Sequence, residues 1–87
     1  MSIEKLDALK LGTSAFKVLC FLAFKDNTYK PNQIAKEISE KPSTVRARLT
    51  ELKKLGLIVP AEGGYTTAIT PYDILMKFYR NINSKMG

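Results

Sequence analysis

Histidine is missing from this sequence, and cysteine occurs once, at Cys20. Without an imidazole the commonest general base is gone, and the thiol has no such neighbour to draw off its proton. A lone cysteine forms no internal disulfide, and without histidine it leaves a usual structural zinc site short of ligands. Cys20 lies inside an apolar run, which predicts a small core residue rather than a redox group. No glycine-rich loop followed by Lys-Ser or Lys-Thr is present to cradle a nucleotide phosphate. These absences argue against an enzyme, and neither a metal nor another cofactor is expected. Long apolar stretches are missing as well: the longest, residues 18–24, has seven residues, against about 20 for a membrane-spanning helix. The first residues mix acids with apolar side chains and show no basic stretch leading into an apolar one, so no secretion signal is expected and the chain is expected in the cytoplasm.

What is present is a short, basic chain. Its 87 residues and 45% hydrophobic content suit one small domain, residues 1–87, with a single modest core. Lysine and arginine outnumber the acids by 14 to 8, giving a net charge of +6 and a pI near 9.6. A balance of that kind favours nucleic acid, acidic partners or anionic lipid, without choosing among them.

Periodicity divides the chain into helices and one hairpin. Ile3, Leu6 and Leu9 recur every third position and predict a short first helix over residues 3–11, ended by Gly12. Thr13 or Ser14 caps a second helix to about Lys25, apolar nearly all round and therefore either central to the core or shared with a second copy. Pro31 suits a first helical position, with Ile34, Ala35 and Ile38 as the inner stripe. Pro42 opens the next helix, where Val45, Leu49, Leu52 and Leu55 repeat at helical spacing before Gly56. Residues 57–59 and 65–69 favour strands, joined across residues 60–64 as a hairpin. Thr70 and Pro71 start a last helix over residues 70–83, faced by Tyr72, Leu75, Phe78 or Tyr79, and Ile82, with a fraying tail over residues 83–87. The fold class is mainly α with a small β-hairpin.

Two short helices joined by three or four residues, followed by a hairpin, form a helix-turn-helix plan. The string PNQIAKEI at residues 31–38, PSTVRARL at 42–49 and LKKLGLI at 52–58 resembles winged helix-turn-helix transcription regulators of archaea and bacteria, broadly the MarR-like group. Residues 65–71 are similar to the second wing strand of that family running into its next helix, and the likeness covers about residues 29–73. It implies a helix-turn-helix over residues 29–56 and a wing over 57–69. The chain departs from the family's habit at three places. Ser39 and Glu40 stand where a glycine and an apolar residue are common, Lys41 stands where Ser or Asp usually caps the recognition helix, and the wing tip carries Glu62 and no base.

The resemblance makes residues 42–55 the recognition helix, about 21 Å long at 1.5 Å per residue. Five basic residues and one acid, Glu51, give residues 41–54 a local charge of +4. Such a helix touches base edges with its N-terminal half, which offers Ser43, Thr44, Arg46, Ala47 and Thr50. Arg46 leads this set, because its guanidinium pairs bidentately with guanine, and small Ala47 permits close approach. Lys41, Arg48, Lys53 and Lys54 are assigned to phosphates, with Lys30 and Asn32, and beside them Gln33, as secondary phosphate candidates at the start of the preceding helix. The bland alternative is a solvated helix face on which Glu51 pairs locally with a lysine. The wing is expected to touch DNA through backbone N–H groups at most, and Tyr65 is expected to pack rather than read. Lys5, Lys10 and Lys17 are expected to face solvent.

The terminal helices carry more apolar surface than one small domain covers. Ile3, Leu6 and Leu9 at one end, and Leu75, Phe78, Tyr79 and Ile82 at the other, are candidates for a homodimer interface. The expected function is therefore sequence-specific binding of double-stranded DNA by a homodimeric transcription regulator, a repressor acting by occupancy. Two rivals stay open: a winged helix that binds protein, and an architectural protein that binds DNA without sequence preference. Any small-molecule effector is left undetermined by the sequence.

Overall fold

A computed structural model describes Leu6 and residues 9–25 and 27–86, with side chains described as far as Asn83. Among the described residues, four helices of full extent and one hairpin follow in order: α1 Ser14–Lys25, α2 Pro31–Ile38, α3 Pro42–Lys54, β1 Ile58–Ala61, β2 Gly64–Thr67 and α4 Pro71–Met86. Thr13 is the residue that caps α1, its Oγ1 accepting the Phe16 N–H at 3.2 Å. Gly12, with φ +85°, makes the turn before it.

The nearly all-apolar α1 is the central helix. It packs against α2, α3, β2 and α4, which explains why both its sides are apolar. Phe16, Val18, Leu19 and Leu22 from α1 meet Ile34 of α2, Val45, Leu49 and Leu52 of α3, and Leu57, Ile58, Ile69 and Ile74 beyond. Every one of these is buried, so the stripes read from helical spacing form a single core.

The hairpin is tighter than expected. Ala61 pairs with Gly64, leaving a two-residue turn of Glu62 and Gly63, so Pro60, Ala61 and Gly64 lie in strands rather than in the loop. Gly63 takes φ +90° at the turn, a conformation that glycine adopts without a Cβ clash. Tyr29, just before α2, forms a bridge to Tyr65 on the other side of β2, with N···O distances of 3.0 and 2.9 Å. β2 is thus the middle of three short extended segments and β1 an edge. Tyr65 gives both backbone groups to Tyr29, so Pro60 sits opposite it without a donor being needed.

Two further expectations change. Of the short first helix expected over residues 3–11, Leu6 is helical, residues 3–5, 7 and 8 lie outside the described residues, and Leu9, Lys10 and Leu11 are not helical, so the helix ends earlier than expected. The chain instead turns there to bring Thr13 into its capping position. At the other end α4 runs to Met86 rather than fraying from Asn83, since no glycine or proline interrupts residues 72–86.

Candidate nucleic-acid interface

The burial of Val45, Leu49 and Leu52 fixes the orientation of α3 against α1 and α2. The opposite side of α3 is left open, with Ser43, Arg46, Ala47, Thr50, Lys53 and Lys54 exposed and Thr44 and Arg48 half-buried at its edges. Four of the five base candidates therefore share the open face, and Thr44 stands at its rim. The Thr50 hydroxyl donates to the Arg46 carbonyl at 3.1 Å, leaving its lone pairs and methyl group for a ligand.

The phosphate candidates separate into two groups. Lys41, Lys53 and Lys54 stand exposed at the two ends of α3. Arg48 instead lies on the flank, its Nε 3.4 Å from Glu51 Oε1 in an i,i+3 ion pair, longer than a charge-assisted hydrogen bond of about 2.7–2.9 Å. Glu51, expected to pair with a lysine, pairs instead with this arginine one turn before it. At the start of α2, Lys30, Pro31, Asn32 and Gln33 line a cleft of about 330 Å³ together with Arg46. The fold so unites the leading base candidate with the three secondary phosphate candidates, Lys30, Asn32 and Gln33, a proximity no single helical wheel displays.

The turn between α2 and α3 shows how its unusual residues are accommodated. Ser39 adopts the left-handed conformation, φ 57° and ψ 47°, that glycine often fills at a helix end, and its N–H bonds to the Ala35 carbonyl. Glu40 does not pack in the core; it meets Lys17 of α1 at 2.8 Å. Lys17, expected to face solvent alone, therefore ties the turn to the central helix. Lys41 is the N-cap of α3 without a side-chain cap, so the positive end of that helix carries a cation and no acid in its first turn. Gln33 supplies a feature the sequence reading did not assign: its Oε1 accepts the Lys30 N–H at 2.8 Å and closes the start of α2.

The wing tip presents exposed Glu62 and no base. Tyr65 is half-buried against the core, as its packing expectation has it. Cys20 is half-buried as well, and burial pushes its thiol up to about 11. Among the described residues no group of three potential metal ligands comes together, and no helix is long and apolar enough to cross a membrane.

The candidate dimer residues divide sharply. Leu6 and Leu9 are buried inside the chain's own core, so neither is offered to a second copy; they close the core over α1. Ile3 lies outside the described residues. Leu75, Phe78, Tyr79 and Ile82 are exposed along α4, joined by Tyr72.

The model of one family, described as the winged helix-turn-helix transcription repressor, HrcA DNA-binding family, matches residues 17–81, from within α1 to within α4. The resemblance drawn from the motifs therefore holds at the level of winged-helix transcription repressors. Neither the curated proteins nor the solved structures contain a match to the chain.

Proposed function

From the premise that the chain belongs to the winged helix-turn-helix transcription repressor, HrcA DNA-binding family, with double-stranded DNA as partner, we propose that it binds a specific sequence as a homodimer. The observation that carries this reading is the open side of α3. Short polar groups and Arg46 occupy its first half, lysines its ends, and buried leucines and a valine hold it from behind. A helix so mounted presents its N-terminal half to base edges in the major groove and its flanking cations to phosphates. Repression then follows from occupancy of the site.

Selection from a randomised duplex library, with the winners titrated against random DNA, tests the proposal. The expected result is an enriched palindrome with half-sites about 34 Å apart and a preference over random DNA of roughly 10³ or more. Arg46→Ala is expected to lose about 1–3 kcal/mol at one or two base positions and to relax preference there. Equal loss on selected and random DNA would assign Arg46 to the backbone. Steeply salt-dependent binding without enrichment would make the chain architectural, and no binding would move α3 to protein recognition.

A further inference from the structure

A second cleft lies on the other side of the start of α2. It measures about 370 Å³ and is lined by Phe21 and Lys25 of α1, by Tyr29, and by Gln33, Lys36 and Glu37 of α2. Its wall is firm: the rings of Phe21 and Tyr29 meet edge to face at 4.8 Å, and the backbone of Tyr29 is held to Tyr65 on both its polar groups. Lys25 Nζ stands 5.9 Å from the centre of the Phe21 ring.

Gln33 lines this cleft and also the one that contains Lys30, Asn32 and Arg46. The two clefts therefore share Gln33 as a wall, and as a pair they form a trough along α2 with Arg46 of α3 at one end and Lys25 of α1 at the other. Four exposed cations border it, Lys25, Lys30, Lys36 and Arg46, against one acid, Glu37. None of the four takes part in an ion pair among the described residues. Lys30 and Lys36 are about 9 Å apart along the helix at 1.5 Å per residue, while phosphate charges recur about every 3.4 Å of axis on one strand. The trough is long enough for more than one phosphate.

We propose that this trough seats the DNA backbone beyond the bases that α3 reads, with Lys25 and Lys36 as additional phosphate contacts. The inference rests on the DNA-binding reading above and extends its footprint to α1. A backbone strand suits the trough better than a free anion, because its cations are strung out from Arg46 to Lys25 rather than gathered at one point. Glu37 opposes the strand from the wall of the same cleft.

The test is the salt dependence of binding to a random-sequence duplex of 30 base pairs, measured for the full chain. Because a lost phosphate contact removes about 0.9 from the slope of log K against log salt, Lys25→Ala and Lys36→Ala are each expected to flatten it by that amount per bound protomer. The double variant is expected to flatten it by about twice as much, and Glu37→Gln to tighten binding. Lys10→Ala, at an exposed position in the segment that precedes α1, is expected to leave the slope unchanged. All three lysines are exposed, and circular dichroism checks that each variant folds. A wild-type slope in the double variant, with Lys53→Ala still flattened, overturns the trough and leaves the DNA-binding reading standing. An equal effect from Lys10→Ala also overturns it, since net charge alone then explains the change. Absence of salt-dependent binding by the unaltered chain defeats the DNA-binding reading, and the trough with it.

Discussion

At Gly64 the backbone of the wing passes so close to Tyr29 that a Cβ would overlap the Tyr29 carbonyl, and φ stands at +144°. Both facts forbid a side chain, and both arise from the bridge that pins the start of α2 to β2. Gly64→Ala is therefore expected to destabilise the chain by about 2 kcal/mol or more, read from urea unfolding. A loss below about 0.5 kcal/mol, the scale of an ordinary surface change, would show that the bridge is not rigid. Cys20 gives a pH-dependent prediction of the same scale. Burial raises its thiol from 9.0 to about 11, so near pH 8 its thiolate fraction is about two orders of magnitude below that of an open thiol. Alkylation of the folded chain is expected to be slow by that factor and to accelerate as pH climbs toward 11. The sign for stability agrees: a raised folded value contributes fully below the unfolded value near 9 and is lost as pH rises through about 11. Rapid labelling at pH 8 in native buffer would contradict the buried setting.

Among the elements, the start of α4 is the most completely capped. Asp73 accepts from the Thr70 N–H at 2.9 Å and its hydroxyl at 3.1 Å, and the Thr70 Oγ1 accepts the Asp73 N–H at 3.3 Å. Asp73 is buried, so its removal leaves the Thr70 donors without their acceptor. Asp73→Ala is expected to lower stability by about 1–2 kcal/mol, and Asp73→Asn less, because the amide oxygen still accepts; equal losses for the two would refute the capping role. Thr70 and Pro71 mark this start in the sequence, but the reciprocal bond from Asp73 was not read from it. The contrast is general in this chain. The helices were legible because Val45, Leu49 and Leu52, or Ile34 and Ala35, recur with the helical period and because Pro31, Pro42 and Pro71 mark first turns. The hairpin was legible in kind but not in register, since a proline at an edge strand reads locally like a loop and only the Tyr29 bridge makes its place clear. The pairing of Lys17 with Glu40 spans 23 positions, and no local pattern encodes it. In the candidate interface the open face of α3 was readable from the wheel, whereas the meeting of Arg46 with Lys30 and Asn32 depends on how α2 and α3 pack.

At the scale of the whole molecule the apolar surface is unevenly distributed. Leu6 and Leu9, which pattern alone grouped with the last helix, close the core from within, while α4 keeps Tyr72, Leu75, Phe78, Tyr79 and Ile82 at 40–65% exposure. Spacings of three and four place these side chains along one side of α4. α4 packs on α1, through contacts that include Phe78 edge-on to Phe16 at 5.7 Å. The stripe contains no charged residue, so two copies of a chain carrying +6 can bring it together without setting like charges face to face. That is the basis for placing the proposed two-fold contact on α4 and leaving both copies of α3 free. Sedimentation is expected to give a dimer for the unaltered chain, with a melting temperature that rises with concentration. Leu75→Lys with Tyr79→Glu, both at exposed positions, is expected to give a folded monomer. That monomer should still bind a single half-site but should lose roughly 10²-fold or more on the full palindrome, because the linkage of two reading heads is gone. A variant that stays dimeric would move the interface off α4, and a monomeric variant with undiminished affinity for the palindrome would show that one α3 suffices.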